Sequence, residues 1–509
     1  MKTAKGNLGA QGQLVSKQNA HDHADADGFE EPKIKLEEIV VKKTDDASDM
    51  VNLPKHGKPL SPLACLTSDA LFDSYILAIV GFKKEIDVNS LKILLRNNLA
   101  QHQRFSSVVV KDKHNNLKWE LREVALEDHV IVPCFSLSTV ENPNFINEYT
   151  SSLVTAPPLN PCRPLWEVHV LHVSSGDAAA SLVFRSHHSL GDSVSVLSLI
   201  NSTRKAANPN VSSSIPQHKS SGQRSTAFLQ IFCNVVAGLW FTFLCLIQYG
   251  ATLLWKQDRN LLRQDSRSKI GPKHLAHVTL SIEDICLVKN AVNGTLNDVI
   301  MGALSAGFLR YMSRLQVPEK HLPLNTRLRA MVPVNMRPFT MLKDLDSNMK
   351  NPSKATWGNI VGLWMFPLPM FHYGDPLQYC RDTRMISRRK KLSYEASLTY
   401  GLTKYMPTKL LAYIVGRLGA STTLGFSNVM GPVEQIELSD NPITHIIPTA
   451  HVNYHSIVIH FMSYAGKGKL VALVSEDVIP DPQQLCEDCA DALQVMKEAA
   501  AKTTPLNLS

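Results

Sequence analysis

Two adjacent histidines, His187 and His188, are followed by Asp192 within SLVFRSHHSLGDSVSVLSLI, residues 181–200. An imidazole titrates near neutral pH and can take a proton from a hydroxyl group. A carboxylate close by in the chain can hold the intervening loop through a charged hydrogen bond. The apolar run ahead of the pair predicts a strand over 180–186 that delivers both rings into a short turn. Asp192 and Ser193 then fall where a helix N-cap belongs, with Val194, Leu197 and Ile200 as the apolar face behind them. The pattern suits general-base removal of a hydroxyl proton. The same residues also make an ordinary turn and helix cap, and residue types alone leave both readings open.

The elements that must position these rings mix strands with helices. Patterning predicts strands over 74–80, 106–110, 117–121 and 166–173. It predicts a helix over 87–102 whose apolar face is Leu91, Ile93, Leu94, Leu95 and Leu99. From Lys273 on come helices over 280–289 and 296–315 and strands over 330–334 and 360–365. A basic helix over 375–391 follows, then a hairpin of 455–464 with 469–476 across Gly466-Lys467-Gly468, and a terminal helix over 481–502. Both halves read as α/β, mixed α+β, which points to layered domains.

Residues 1–58 are polar and poor in aromatics and read as a disordered tail, with His21, Asp22, His23, Asp25 and Asp27 as solvated groups rather than a metal cluster. A first lobe is expected over 59–200, a Ser-, Asn- and Pro-rich linker over 201–226, a basic crossover over 256–274 and a second lobe over 275–509. Between linker and crossover, residues 227–255 carry no charge and exceed the ~20 residues that cross a bilayer. Basic residues flank both ends, and Trp240 and Trp255 suit an interface.

The composition, 44% hydrophobic and 19% charged, allows a sizeable core. A net charge of +8 favours anionic partners such as phosphates or anionic lipid, while zinc-finger, RNP-like and basic-zipper patterns are missing, so nucleic acid is not expected. The N-terminus has no secretory-signal texture, and nine cysteines without framework spacing read as reduced thiols. Cys486 and Cys489 form one CxxC without a second pair and read as two cysteines on one helix. The basic helix (Arg381, Arg384, Arg388, Arg389, Lys390, Lys391) fits a solvated face, a coenzyme A phosphate contact or an anionic-lipid contact.

His187-His188-x-x-x-Asp192 resembles the HHxxxDG signature of chloramphenicol-acetyltransferase-like acyltransferases. Further blocks resemble the wax ester synthase/diacylglycerol acyltransferases, most of all their plant branch: Pro59-Leu60-Ser61-Pro62, Pro164-Leu165-Trp166-Glu167, Asn297-Asp298-Val299, Val332 to Arg337 and Ser427 to Pro432. They run collinearly from about residue 59 to about 500. One departure is Ser193, where the family carries glycine.

The resemblance implies a two-lobed, CoA-dependent acyltransferase fold with the active site in a channel between the lobes. It implies His188 as general base, His187 as a shaper of the turn, and Asp192 as a structural carboxylate turned away from the substrate. It places Trp166, Asn297, Asp298, Ser427 and Asn428 on the substrate side, with Asn297, Ser427 or Asn428 as oxyanion donors. Beside these stand plainer readings: a core aromatic for Trp166, a helix cap for Asn297, and an architectural turn for 427–432. Acyl-CoA is the implied co-substrate, with no permanently bound cofactor and no metal; the implied acceptor is a fatty alcohol or diacylglycerol. The alternatives are a non-catalytic lipid-binding protein on the same scaffold and a soluble secondary-metabolite acyltransferase, whose DFGWG element is not found here.

A membrane lipid surface is a further expected partner, at the cytosolic face of the endoplasmic reticulum or at the plasma membrane. A single crossing by 227–255 would put the two lobes on opposite sides of the bilayer. The segment is therefore expected to lie on or dip into one leaflet, or to cover the channel, with a tight two-crossing hairpin as the alternative.

Overall fold

The computed structural model describes residues 58–69, 72–136, 141–202, 227–255, 257–262, 271–315, 326–337 and 357–503. The expected tail and linker lie almost wholly outside the described residues.

The first half contributes α1 (Pro62–Thr67), β1 (Tyr75–Phe82), α2 (Val88–Asn97), β2 (Ser107–Lys111), β3 (Leu117–Leu121), β4 (Val130–Ile131), α3 (Phe145–Thr155), β5 (Trp166–Leu171), β6 (Ala180–His187) and α4 (Ser193–Ser202). Helix α2 starts on Asp87, whose carboxylate accepts from the Asn89 and Ser90 amides. It stops at Asn97 rather than at 102, where the Asn98 amide side chain bonds the Leu94 carbonyl and the chain tightens into a short 3-10 turn.

The second half contributes α5 (Ala227–Leu254), β7 (Lys273–Ser281), α6 (Ile282–Ala291), α7 (Leu296–Arg314), β8 (Leu328–Asn335), β9 (Val361–Leu368), α8 (Gln378–Leu392), α9 (Glu395–Tyr405), α10 (Thr408–Ser421), β10 (Leu424–Met430), β11 (Glu437–Leu438), β12 (Asn441–His451), β13 (Ile457–Tyr464), β14 (Lys467–Ser475) and α11 (Pro482–Thr503). The expected helix over 280–289 begins later. Residues 273–281 pair with β14 along their whole length, and Ser281 both ends the strand and caps α6. Residues 427–430 also belong to a strand, β10, which runs parallel to β13 and β8.

Two six-stranded sheets result, β11–β12–β1–β6–β5–β4 and β7–β14–β13–β10–β8–β9. Strand β1 is buried at every position and feeds two cores by alternation. Ile76 and Val80 join one with Phe105 and Trp166; Tyr75, Leu77 and Ile79 join another with Val471 and Leu473 of β14, so the two sheets share a core. The halves are also interlocked. Strand β12, from the expected second lobe, pairs antiparallel with β1 in the first sheet. The chain then returns to the second sheet through residues 452–456, where the buried Lys273 ammonium donates to the Val452 and His455 carbonyls at 2.8 and 2.7 Å.

Helix α5 lies against the second half. A seven-residue rhythm of small and polar residues faces inward. Thr242 accepts from the Tyr394 amide at 2.8 Å, Cys245 donates to Glu395 at 3.1 Å, Tyr249 donates to the Leu363 carbonyl at 3.3 Å, and Thr252 accepts from Arg329 at 2.6 Å. Glu395 is buried and also holds the buried Lys390 at 2.7 Å. Gly238 permits the close approach, since a Cβ there would sit 2.9 Å from the Leu392 carbonyl oxygen. The other face is bare: Phe232, Val236, Leu239, Trp240, Phe243 and Ile247 are all at least half exposed. The span 230–254 is long and apolar enough to cross a membrane, with mean hydropathy 1.9.

Candidate active site

Strand β6 sets the position of both histidines. Its last residue, His187, pairs in register with Tyr75, and its amide donates to the Leu165 carbonyl. The His188 amide donates to the Ser74 carbonyl, and the chain then turns, with the Leu190 amide closing on the His187 carbonyl. Trp357 donates to the Leu190 carbonyl at 2.7 Å and packs over the turn. Gly191 leaves room for it, because a Cβ there would lie 3.2 Å from the indole nitrogen.

The two rings have different surroundings. His187 is buried, with Nδ1 2.6 Å from the Ser189 hydroxyl and Nε2 3.0 Å from Asp73 Oδ1. Both of its nitrogens are occupied, so it serves as a fixed piece of the turn. His188 Nδ1 donates to Asn359 Oδ1 at 3.1 Å, while the Asn359 amide donates to the His188 carbonyl at 2.8 Å. That second bond fixes which way the Asn359 amide points. It makes Oδ1 the acceptor and Nδ1 the protonated nitrogen, which leaves Nε2 with its lone pair. Burial, helped by His187, holds the His188 pKa below its ordinary value against the opposing effects of its own backbone, Asp192 and Asn359. At neutral pH the ring is an uncharged base.

Asp192 caps α4, accepting from the Ser195 amide at 2.9 Å. Its carboxylate also receives both prongs of Arg337, Nη1 to Oδ2 at 2.7 Å and Nη2 to Oδ1 at 3.1 Å, and the Ile360 amide at 3.2 Å. Arg337 further donates to Ser195 Oγ and to the carbonyl of Gly358, whose φ of +119° is open to glycine. Ser193, in the place of the family glycine, is the first residue of α4 and is not among the described residues with positive φ. Its backbone therefore does not call for glycine.

His188, Asp192, Ser193 and Val194 form one wall of a cavity of about 1320 Å³, its open mouth included. Asn335 and Met331 of β8, Ser427 and Asn428 of β10, and His455 and His460 form the facing wall. At one end the lining turns apolar, with Leu63, Leu66 and Phe72 beside Val415 of α10. Burial also depresses the other two imidazoles: His460 to about 4, helped by His188, and His455 to about 3, helped by Lys273.

Of the residues expected at the site, His188, Asp192, Ser427 and Asn428 share this cavity, and His187 braces it. Trp166, Asn297 and Asp298 do not line it. Trp166 is a core residue, donating to the Phe105 carbonyl at 2.8 Å and stacked on His129. Asp298 closes a capping box with Thr295 at the start of α7, and Asn297 stands exposed, bonded to Asn428. Arg337, Asn359 and His460 carry parts of the site that sequence reasoning did not assign. Arg337 ends the Val332 to Arg337 block, which marked the stretch but not its role, while Asn359 and His460 act on His188 from more than a hundred residues away and carry no local spacing that marks them. Among the described residues no group of three or more His, Cys, Asp or Glu is arranged to hold a metal. Cys486 and Cys489 are buried in α11, where burial pushes the Cys486 thiol up to about 12.

A neutral imidazole with a fixed tautomer, facing polar groups across a mostly apolar cavity, can take the proton of an alcohol bound there. The catalytic-domain model of wax ester synthases/diacylglycerol acyltransferases matches residues 87–300, and the WS/DGAT C-terminal-domain model matches residues 357–497. Wax ester synthase/diacylglycerol acyltransferase 4 of Arabidopsis thaliana is 36% identical, covering 89% of this chain and 92% of the relative. The number 5 protein of the same plant is 35% identical, covering 88% and 94%. Among solved structures, the wax ester synthase/diacylglycerol acyltransferase from Marinobacter aquaeolei VT8 superposes with a TM-score of 0.57 at 16% identity, covering 87% of this chain and all of that one. The first condensation domain of the calcium-dependent antibiotic synthetase, with a substrate analogue, superposes with a TM-score of 0.56 at 14% identity, covering 88% and 97%. These two likenesses bear on the fold, a two-lobed condensation-type architecture.

Proposed function

The chain belongs to the wax ester synthase/diacylglycerol acyltransferase family and is an acyltransferase, and we propose that it moves a long fatty acyl group from acyl-CoA onto a fatty alcohol, with diacylglycerol as a second acceptor. The observation that carries this reading is His188, held neutral and in one tautomer at the wall of a largely apolar cavity between the two sheets.

In this reading His188 Nε2 accepts the hydroxyl proton as the alcohol oxygen bonds to the thioester carbonyl carbon. The tetrahedral intermediate then breaks its C–S bond, and the proton on Nε2 passes to the sulfur of departing CoA. The thioester is already activated, so direct transfer needs no covalent enzyme intermediate. Asp192 and Arg337 hold the turn that presents the base. Ser427, on the facing wall, is the candidate donor to the oxyanion, whereas the Asn428 amide nitrogen donates to Asn297. The apolar end near Phe72 and Val415 suits an alkyl chain.

The same reading places the enzyme on a lipid surface, at the cytosolic face of the endoplasmic reticulum. Helix α5 supports an in-plane anchor rather than a crossing. Its polar face is tied to the body by four hydrogen bonds that a bilayer-spanning helix would have to break. On α9 and α10, which pack against α5, Leu402, Tyr405, Leu410 and Tyr413 are exposed as well, and Arg389, Lys391, Lys404 and Lys409 are exposed cations that suit anionic headgroups. The apolar end of the cavity lies between α1 and α10, a helix that packs against α5, which suits acceptors that dissolve in membranes.

Purified protein given palmitoyl-CoA with hexadecanol or with diacylglycerol is expected to release CoA thiol, and His188→Ala to abolish the release. No thiol with either acceptor would overturn the proposal.

A further inference from the structure

A second imidazole faces His188 from the opposite sheet. His460 stands on β13, paired in register with Ser427 of β10, and lines the same cavity. It is only 4% exposed, and its Nδ1 is buried without a hydrogen-bond partner. Buried polar groups are almost always satisfied, and a bare one calls for an explanation. Of the imidazoles that line or brace the cavity, His187 is held by Ser189 and Asp73 and His455 by Thr422 at 3.0 Å, while His451, paired in register with Tyr75 and outside the cavity lining, shares with His460 an unpartnered Nδ1. What sets His460 apart is that its ring lines the cavity; with Nδ1 sealed from solvent, Nε2 is the nitrogen that a ligand there can reach.

We propose that His460 donates a hydrogen bond to the thioester carbonyl oxygen as it becomes an oxyanion, beside the Ser427 and Asn428 positions. The inference rests on the acyltransferase reading of the cavity. The geometry supports it in two ways. The alcohol must approach from the His188 wall, so the carbonyl oxygen is free to turn toward the facing sheet, and His460 with its neighbour Ser427 sits there. The ring is also neutral, because burial and the nearby His188 oppose its protonation. A neutral imidazole still offers one N–H. A charged one would disfavour the imidazolium that forms on His188 when it takes the alcohol's proton, so a neutral donor suits this partner better.

The test is kinetic. His460→Phe keeps an aromatic ring and removes the donor; His460→Gln restores an N–H in roughly the same place. The Phe variant is expected to lose on the order of 100- to 1000-fold in kcat, with the KM for palmitoyl-CoA changed less than threefold, and the Gln variant to recover at least tenfold of the loss. A packing role alone would give a Gln variant no better than Phe. A Phe variant with wild-type kcat overturns the proposal while leaving the acyltransferase reading intact; a wild-type protein without activity overturns both. A second measurement does not depend on either variant folding. The carbonyl stretch of palmitoyl-CoA bound to His188→Ala should move to lower frequency than in free palmitoyl-CoA. An unshifted band would rule out a preformed donor.

Discussion

Arg337 and Asp192 form a two-pronged ion pair in which the arginine side chain has no exposed surface, and the pair joins the end of β8 to the turn that carries His188. One end belongs to each half of the chain, so the pair couples the docking of the sheets to the placement of the base. Removing one partner leaves the other charge buried without compensation, which costs about 3–5 kcal/mol. Arg337→Met is therefore expected to lower the melting temperature by several degrees and to abolish activity. The double change Arg337→Met with Asp192→Asn should regain part of the stability and none of the rate, read by thermal shift and thiol release. Full activity in Arg337→Met would show that the turn holds itself.

Asn359 decides which nitrogen of His188 carries the proton. Asn359→Leu removes the acceptor for Nδ1–H and is expected to reduce kcat on the order of 10- to 100-fold, the usual scale for a residue that orients a working imidazole. The unvaried enzyme should keep its kcat/KM from neutral pH to below the ordinary histidine value of about 6.5, because burial holds the folded His188 pKa below that value. Its acid limb should lie lower still in the Asn359 variant, since the lost hydrogen bond favoured protonation. A pH–rate profile with an acid limb at or above 6.5 would contradict this.

Acid should also unfold the protein early. Burial pushes His451 and His455 to about 3 and His102, His277 and His460 to about 4. The unfolded chain binds these protons near the ordinary value, so between about pH 6.5 and 4 the unfolded state holds more of them. Stability then falls as pH falls through that window, by up to about 1.4 kcal/mol per histidine per pH unit. Denaturant midpoints at pH 7.5, 6 and 5 should drop steeply, and equal midpoints would refute the assignment.

Helix α5 offers separable handles on its two faces. Gly238→Val drives a Cβ toward the Leu392 carbonyl and should loosen the docked face at a cost of about 1–3 kcal/mol. Replacing the exposed Trp240, Phe243 and Ile247 with serine should leave stability in detergent unchanged and reduce co-sedimentation with anionic vesicles at least tenfold. Vesicle binding that survives the triple change would move the lipid contact elsewhere.

At the apolar end of the cavity, Val415 packs with Leu66, Phe72 and Leu411. Val415→Phe should narrow the space for an alkyl chain. Activity on hexadecanol is expected to fall at least tenfold relative to decanol at equal folded protein, measured by product formation with each alcohol. An unchanged chain-length preference would place the alkyl chain elsewhere.

The local chain announces what local physics controls. The apolar run ending in His187 and the cap at Asp192 reflect short-range patterning and hydrogen bonding, so strand, turn and helix start were legible. The long uncharged stretch of α5 was legible for the same reason, as were most of the other strands and helices. Collinear motifs carried the family, because they recur as strings of residues. What the sequence alone could not determine is every relation made across a large separation. The insertion of β12 beside β1, the clasp of Arg337 on Asp192, the Asn359 bond that sets the His188 tautomer and the approach of His460 each depend on how two sheets dock. Such pairings leave no periodicity behind, since their energy comes from burial and hydrogen bonds between segments that meet only in the folded state. The same holds for Trp166, Asn297 and Asp298. Their motifs are visible in the chain, but only tertiary packing could show a core aromatic, an exposed side chain and a helix cap outside the cavity.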